Sequence, residues 1–203
     1  MLAPHLYARI SHKRGFTMIE LMVALTILAI LASLAVPSLQ VFFVRNNFAN
    51  IGNEFSGSLL RARNEAVSKN MCTTMCMSDT VDNATPFCKQ NTQDWQVGWI
   101  VFLNANCDSN YGKDAATPGN AVAAQDMILV RRVGNTNYTV MAQSNTRRID
   151  FDARGKAGLG TADRFDIHYL ADNNLDTTYG ISICFDALGR ARPTPGLSDC
   201  NTY

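Results

Sequence analysis

The chain has 203 residues, a formal net charge of +1 and an apolar content of 47%. This length gives one domain of ordinary size with an extension and disfavours two complete domains. The near-zero charge excludes a polycation that binds nucleic acid through its overall charge, so any such affinity must come from a local patch.

The N-terminal segment combines a basic head with a long apolar run. Three basic residues and no acid precede Gly15. As a helix, residues 16–36 would span roughly 30 Å, the thickness of the hydrocarbon core of a bilayer. The positive-inside rule keeps the basic head in the cytoplasm and sends the chain beyond Pro37 outward. The sequence therefore predicts one transmembrane segment, residues 16–39.

Glu20 is the exception within this apolar run. A carboxylate there costs several kcal/mol unless a cation pairs with it. Cleavage after Gly15 would create that cation, because Phe16 would then carry a free amino terminus, on the same helix or on a packed neighbour. An ordinary secretory signal has no use for Glu20 and would lack a clear A-x-A cleavage site after the apolar run. The position of Glu20 predicts a helical assembly whose axial register it sets.

Residues 13–38, KRGFTMIELMVALTILAILASLAVPS, resemble the signature of type IV pilins and type II secretion pseudopilins. The resemblance implies a leader at 1–15 that prepilin peptidase removes, N-methylation of Phe16 and a role for Glu20 in filament assembly. It also implies an inner-membrane anchor, a C-terminal domain in the periplasm that becomes extracellular in the pilus, and other pilins as partners. Pro37 falls where the long helix of the family is bent.

Beyond Pro37 apolar residues recur every three or four positions, which predicts that one helix spans residues 16–70 and packs its second half on a globular head. This apolar stripe comprises Phe48, Ile51, Phe55, Leu59, Ala62 and Ala66.

From Met71 the pattern changes to seven short β-rich runs separated by turn residues. These runs cover 71–77, 95–103, 127–133, 138–141, 148–151, 164–170 and 179–185. A helix followed by strands predicts an α+β fold, with a β-rich globular domain over residues 71–203.

All six cysteines lie in the exported part, and an even number there favours disulfides. They are Cys72, Cys76, Cys88, Cys107, Cys184 and Cys200. Of the many possible pairings, we prefer Cys184 with Cys200 and next Cys76 with Cys88. A zinc site is disfavoured because the C-x3-C spacing of Cys72 and Cys76 has no matching pair downstream.

The sequence FDARGKA at 151–157 nearly recurs as FDALGRA at 185–191, and each copy predicts a tight turn with a glycine at positive φ. After the second copy, Arg190 and Arg192 share a face if the segment is extended, so they can meet successive phosphates of one strand. The alternative is a solvated turn in which they pair with Asp186 and Asp199. Further cations for such a patch are Arg154 and Lys156 first, then Arg131, Arg132, Arg147 and Arg148.

Blocks at 94–104, 148–157 and 183–193 resemble the FimT/GspH group of minor pilins. The resemblance implies a long helix packed on two antiparallel β-sheets. Its FimT branch implies natural transformation and non-specific DNA binding through a Gly-Arg-x-Arg motif, which Gly189, Arg190 and Arg192 match. The alternatives are a GspH-like pseudopilin with a structural or priming role in type II secretion, and a bulk pilus subunit.

The sequence predicts no enzyme, cofactor or metal site. His168 is the single histidine beyond the leader, and no nucleophile motif accompanies it. Asp172, Asn174 and Asp176 have the spacing of a calcium loop, but Thr177 stands where that loop needs glycine, so a plain turn is expected.

Overall fold

The computed structural model of the chain describes residues 15–89, 93–158, 163–197 and 200. The expected leader therefore lies outside the described residues, apart from Gly15. The chain divides into two units, Met1–Phe42 and Phe43–Tyr203. One helix, α1 (Met18–Lys69), contributes to both.

The first unit contains the apolar beginning of α1. Thr17 caps the helix, because its Oγ1 accepts the N–H of Glu20 at 3.3 Å and its carbonyl accepts the N–H of Leu21 at 3.2 Å. The hydroxyls of Thr26 and Ser33 donate to helix carbonyls three residues earlier, so their polar groups are satisfied within the helix. The segment has a mean hydropathy of 2.5 with none of it buried, and by length and composition it can cross a membrane.

In the described part of the second unit, eight strands form two antiparallel four-stranded sheets. The first sheet has the order β3-β2-β1-β5 and contains β1 (Thr73–Met77), β2 (Trp99–Leu103), β3 (Met127–Arg131) and β5 (Arg148–Phe151). The second has the order β4-β6-β7-β8 and contains β4 (Tyr138–Ala142), β6 (Asp163–Tyr169), β7 (Ile181–Phe185) and β8 (Ala191–Pro195). A short helix, α2 (Asn173–Tyr179), joins β6 to β7. The predicted fold, a long helix packed on two antiparallel sheets, is confirmed.

The main core is formed by the second half of α1 and the inner faces of both sheets. Phe55 is fully buried, with its ring centroid 5.3 Å from those of Trp95 and Trp99 and 4.9 Å from that of Phe165. The whole apolar stripe predicted for α1 is buried. Each large side chain removed from water in this way stabilises the fold by about 1.5–3 kcal/mol.

Three disulfides link loops to the sheets: Cys72–Cys107, Cys76–Cys88 and Cys184–Cys200. The last two are the pairs that the sequence analysis prefers. The first two fasten the long loops after β1 and β2, and these loops cover a smaller core on the outer face of the first sheet. Cross-links of this kind restrict the unfolded chain and stabilise such loops.

The strand predicted over 95–103 begins only at Trp99. Asp94 starts a short 3-10 turn over Trp95–Val97, because its carboxylate accepts the N–H of Gln96 at 2.9 Å. Gly98, with φ of +120°, then redirects the chain into the strand.

Helix α2 replaces the plain turn predicted at 172–176 and delays the following strand to Ile181. Asp172 caps this helix by accepting the N–H groups of Asn174 and Leu175. The polar spacing that resembled a calcium loop is therefore a helix start.

The segment after Arg190 is extended and forms β8, an edge strand of the second sheet. Because the N–H of Asp186 donates to the carbonyl of Arg190 at 3.1 Å, every second residue from Arg190 onward directs its backbone toward β7. Pro193 and Pro195 occupy the intervening, outward positions. Their missing N–H groups cost the ladder no hydrogen bond.

Candidate nucleic-acid interface

The near-repeated sequences form two turns of the same geometry. The first basic turn, residues 151–157, follows β5, and the second basic turn, residues 185–191, joins β7 to β8. In each turn an aspartate, Asp152 or Asp186, accepts the backbone N–H groups two and four residues later at 2.9–3.0 Å. Gly155 and Gly189 have φ of +77° and +76°, the left-handed region that favours glycine. The prediction of two tight turns is confirmed.

The two basic turns lie against each other, although they belong to different sheets. The N–H of Ala157 donates to the carbonyl of Ala187 at 3.0 Å. A β-carbon added to Gly189 would lie only 2.4 Å from the carbonyl oxygen of Gly155. Gly189 is therefore required twice, for its backbone conformation and for the close approach of the neighbouring turn.

Four exposed basic residues belong to the two adjoining turns and to β8: Arg154, Lys156, Arg190 and Arg192. Arg192 lies opposite Cys184 in the β7–β8 register, and Cys184 is bonded to Cys200. The second basic turn and β8 are thus fixed to the sheet by backbone hydrogen bonds and by a disulfide.

Arg190 forms the pair with Asp186 that was the alternative interpretation of its charge. Its Nε and Nη2 both lie 2.6 Å from Oδ2 of Asp186, while 59% of its side chain stays exposed. Asp199, the partner considered for Arg192, lies outside the described residues. The pair holds the guanidinium in one orientation and offsets part of its charge.

The environment of Asp186 lowers the pKa of its carboxyl group. Burial, the largest single influence, favours the neutral acid and raises the pKa. The backbone and side-chain hydrogen bonds of Arg190, its positive charge and the N–H of Leu188 together outweigh burial. Asp186 is therefore ionised at neutral pH, and it stabilises the second basic turn by accepting three hydrogen bonds and by its ion pair with Nη2 of Arg190.

Three of the other cations considered for the patch have partners elsewhere. Arg131 lies over the ring of Trp99 at 4.3 Å and pairs with Glu54 at 3.2 Å. Arg132 pairs with Asp82 at 2.6 Å, beyond the β3 edge of the first sheet. Arg148 donates to Asp150 and to loop carbonyls around residues 108–111. These arginines stabilise the first sheet and its loops.

Arg63, which was not predicted as part of the patch, lies on α1 beside both basic turns. Its Nε donates to the carbonyl of Gly155 at 3.1 Å. Helical periodicity alone marks Arg63 as the edge of the polar face, and 92 residues separate it from its acceptor. Only the folded chain reveals this neighbour.

The residues predicted for processing and assembly lie at the start of the first unit. Gly15 and Phe16 precede α1, and Phe16 is 82% exposed. Glu20 is exposed in the first turn of the helix, where a negative charge also interacts favourably with the helix dipole.

His168 has a structural partner. Its Nδ1 lies 3.0 Å from Oδ2 of Asp176, whose other oxygen accepts the N–H of Tyr169. These contacts tie α2 to β6. Among residues 15–89, 93–158, 163–197 and 200, no group of three or more His, Cys, Asp and Glu side chains is arranged to hold a metal ion.

A family model described as type II transport protein GspH matches residues 52–195, which is more than half of the chain. The chain belongs to the GspH family. A second model, described as the prokaryotic N-terminal methylation motif, matches residues 10–36. The GspH family and this motif support the role of a minor pilin or pseudopilin, with prepilin peptidase and other pilins as interaction partners and an apolar helix that fits an inner-membrane anchor.

Solved structures agree with the GspH-family assignment at the level of the fold. A crystal structure of the type IV minor pilin FimU from Pseudomonas aeruginosa PAO1, in space group P21, aligns with a TM-score of 0.53 and 18% identity over 79% of this chain and 98% of FimU. A second FimU crystal form, P65, aligns with a TM-score of 0.50 and 19% identity over 76% and 98% of the two chains. No curated protein matches the chain.

Proposed function

We propose that this chain is a FimT-like minor type IV pilin that binds extracellular DNA without sequence preference and supports DNA uptake in natural transformation. The observation that carries the proposal is the contact between the two basic turns. In this contact the turn that carries Arg154 and Lys156 lies against the turn that carries Gly189 and Arg190, and Arg192 follows in β8.

The chemistry of this surface suits phosphate better than base edges. Guanidinium groups match phosphate oxygens with two parallel hydrogen bonds, and lysine adds a point charge. Over the residues of this surface that the structure describes, the chain forms turns and an edge strand and no helix that could enter the major groove. Binding through it depends on the phosphate backbone and tolerates any base sequence.

The expected free energies of binding favour a patch of several basic residues over two isolated arginines. Each charge-assisted hydrogen bond to a phosphate contributes a net ~1.5–3 kcal/mol to binding. The ion pair with Asp186 reduces the contribution of Arg190 to DNA binding. Four basic residues on preorganised turns offset the cost of immobilisation better than two on a loose tail. The disulfide Cys184–Cys200, which closes a segment of 16 residues, serves the same preorganisation.

The N-terminal segment supplies the location for this activity. We infer that residues 1–15 are removed after Gly15, that Phe16 is N-methylated, and that residues 16–39 span the inner membrane before assembly. Glu20 then pairs with the amino terminus of a neighbouring pilin and sets the register of the filament. The β-rich domain is in the periplasm before assembly and outside the cell in the pilus, where it captures DNA.

The test is a gel-shift titration of the full chain in detergent, using short duplexes of unrelated sequence at several salt concentrations. Changing Arg190 and Arg192 to Gln should weaken binding and reduce the salt slope by about 0.9 for each lost phosphate contact. Transformation should fall while pili still assemble. The matched control changes Lys89 and Arg132 to Gln, because both pair with aspartates near the first sheet. Equal binding by the two double variants would refute the proposal.

A second candidate function is a GspH-like pseudopilin with a structural or priming role in a type II secretion filament. The matched family description and the pair between Arg190 and Asp186 favour it. In that case the wild-type chain shows no DNA affinity at moderate salt. Type II secretion genes beside the coding sequence would support this role, and pilus-assembly genes would support DNA capture.

A further inference from the structure

Arg63 contacts the glycine of both basic turns at once. A β-carbon added to Gly155 would lie 3.0 Å from Cγ and Nε of Arg63, and one added to Gly189 would lie 3.1 Å from its Cδ. The stem of Arg63 therefore fills the space beneath the two glycines. Its side chain is only partly exposed, unlike those of Arg154 and Lys156 above it.

The carbonyl of Gly155 connects these contacts. It accepts the hydrogen bond from Nε of Arg63 at 3.1 Å and also lies against Gly189. A change at Arg63 thus releases an oxygen whose position fixes the distance between the turns. Since Arg63 is on α1, the same hydrogen bond fastens the first basic turn to the long helix.

We propose that Arg63 is a positioning residue for the DNA-binding surface. It holds the two basic turns as one rigid unit, so that their four cations present a fixed spacing to phosphate, and it makes no contact with DNA itself. This inference rests on the proposed DNA binding for its functional meaning, but the coupling of the turns can be measured without DNA.

Two substitutions separate positioning from charge. Arg63→Met keeps an apolar stem and removes the donor. Arg63→Lys keeps the charge but places a methylene where Nε was, so it also removes the donor to Gly155. Both variants should bind DNA roughly tenfold more weakly, because ordering the turns then opposes binding. The salt slope should stay unchanged, since no phosphate contact is lost, whereas Arg192→Gln lowers it by about 0.9.

Amide hydrogen exchange of the full chain in detergent, without DNA, gives an independent readout. In both Arg63 variants the N–H of Ala157, which donates to Ala187, should exchange faster, and so should the N–H of Gly155. The N–H of Leu170, which donates to the carbonyl of Asn137 at the end of the second sheet opposite the second basic turn, is the control and should keep its wild-type rate.

Two results would overturn the inference. One is wild-type exchange at Ala157 and Gly155 in both variants. The other is a Lys variant that binds DNA as well as the wild type, because charge at position 63 would then suffice. Failure of the wild-type chain to bind DNA would instead refute the proposed function, and the exchange rates would still decide whether Arg63 couples the turns. Gly189→Ala, which forces the turns apart from the other side, should reproduce the loss of affinity at constant slope.

Discussion

Gly189 shows how one residue of a short motif can have two structural roles. Its φ of +76° is shared with Gly196, at +78°, so conformation alone does not distinguish these two glycines. Their surroundings do. A β-carbon at position 189 would meet the carbonyl oxygen of Gly155 at 2.4 Å, whereas one at position 196 would have no heavy atom within 4 Å.

We therefore expect Gly189→Ala to destabilise the second unit more than Gly196→Ala does. The second substitution should cost about 1 kcal/mol, the usual penalty of a left-handed alanine. The first adds displacement of the neighbouring turn and should cost about 3 kcal/mol in total. Urea unfolding of the two variants, followed by the fluorescence of the buried Trp95 and Trp99, measures the difference. Equal midpoints would contradict the contact between the turns.

The ionisation of Asp186 makes the stability of the fold decrease as the pH falls. Its folded pKa lies below the unfolded value of about 3.9. Its stabilising contribution is therefore complete above that value and is lost as the pH falls through the lower, folded pKa. Asp114, whose pKa is lowered to about 2 by hydrogen bonds from Asn120 and Thr117, acts in the same direction.

We predict that Asp186→Asn lowers stability at about pH 7 and reduces the additional loss between about pH 5 and pH 2. Asparagine can still accept the turn N–H groups through its carbonyl oxygen but cannot pair with the guanidinium of Arg190. Urea midpoints across this pH range provide the measurement, and Asp82→Asn controls for the loss of one surface charge. If Asp186→Asn lost as much stability in acid as the wild type does, the ion pair between Asp186 and Arg190 would contribute nothing to stability.

At the scale of elements, periodicity was the most informative signal in the sequence. The stripe that includes Phe48, Phe55 and Leu59 predicts the buried face of α1, because a helix can bury only one side against sheets. Alternation and turn residues predict seven strands close to their observed places. The missed elements, α2 and β8, have weak periodic signals: α2 has a single turn-like polar start, and β8 contains two prolines.

The candidate site was predictable in part for a similar reason. The near-repeat indicates two turns, and local chemistry explains each one through Asp152 or Asp186. Their contact with each other depends on how the two sheets pack, which no local pattern encodes. Arg63 was missed because its acceptor is a backbone carbonyl distant in sequence.

The second half of α1 gives a direct test of the core. Phe55→Ala removes the ring that contacts Trp95, Trp99 and Phe165, and it should cost about 3–5 kcal/mol. Leu60→Ala, on the exposed side of the same helix at 42% exposure, should cost less than about 1 kcal/mol. Thermal unfolding of both full-length variants in detergent checks this. Similar losses would mean that the helix buries a different face.

The near-zero net charge of the chain is the sum of charged residues that are distributed differently in the two units. The apolar beginning of α1 has one acid, Glu20, while the basic turns belong to the second unit. Assembly and DNA capture are therefore proposed to depend on different residues, and substitutions should separate them.

We predict that Glu20→Gln lowers incorporation into filaments by about tenfold or more, because the amino terminus of a neighbour then loses its ionic partner in an apolar setting. DNA affinity of the detergent-solubilised variant should stay at the wild-type value. Immunoblots of sheared filaments and of membranes give the distribution. The control is Glu65→Gln, since Glu65 pairs with Arg61 and Lys69 on the same helix. If Glu20→Gln were incorporated normally, an ion pair between Glu20 and a neighbouring amino terminus would not be what sets the register of the filament.

The two prolines of β8 also have a consequence for crowding. A sheet margin with regularly spaced amide hydrogens and carbonyls can recruit another polypeptide as an additional strand. At Pro193 and Pro195 an added strand would find backbone carbonyl oxygens but no backbone N–H groups to pair with. Neighbouring copies of this domain at high local concentration are therefore less able to pair through their edge strands, and each keeps its own fold.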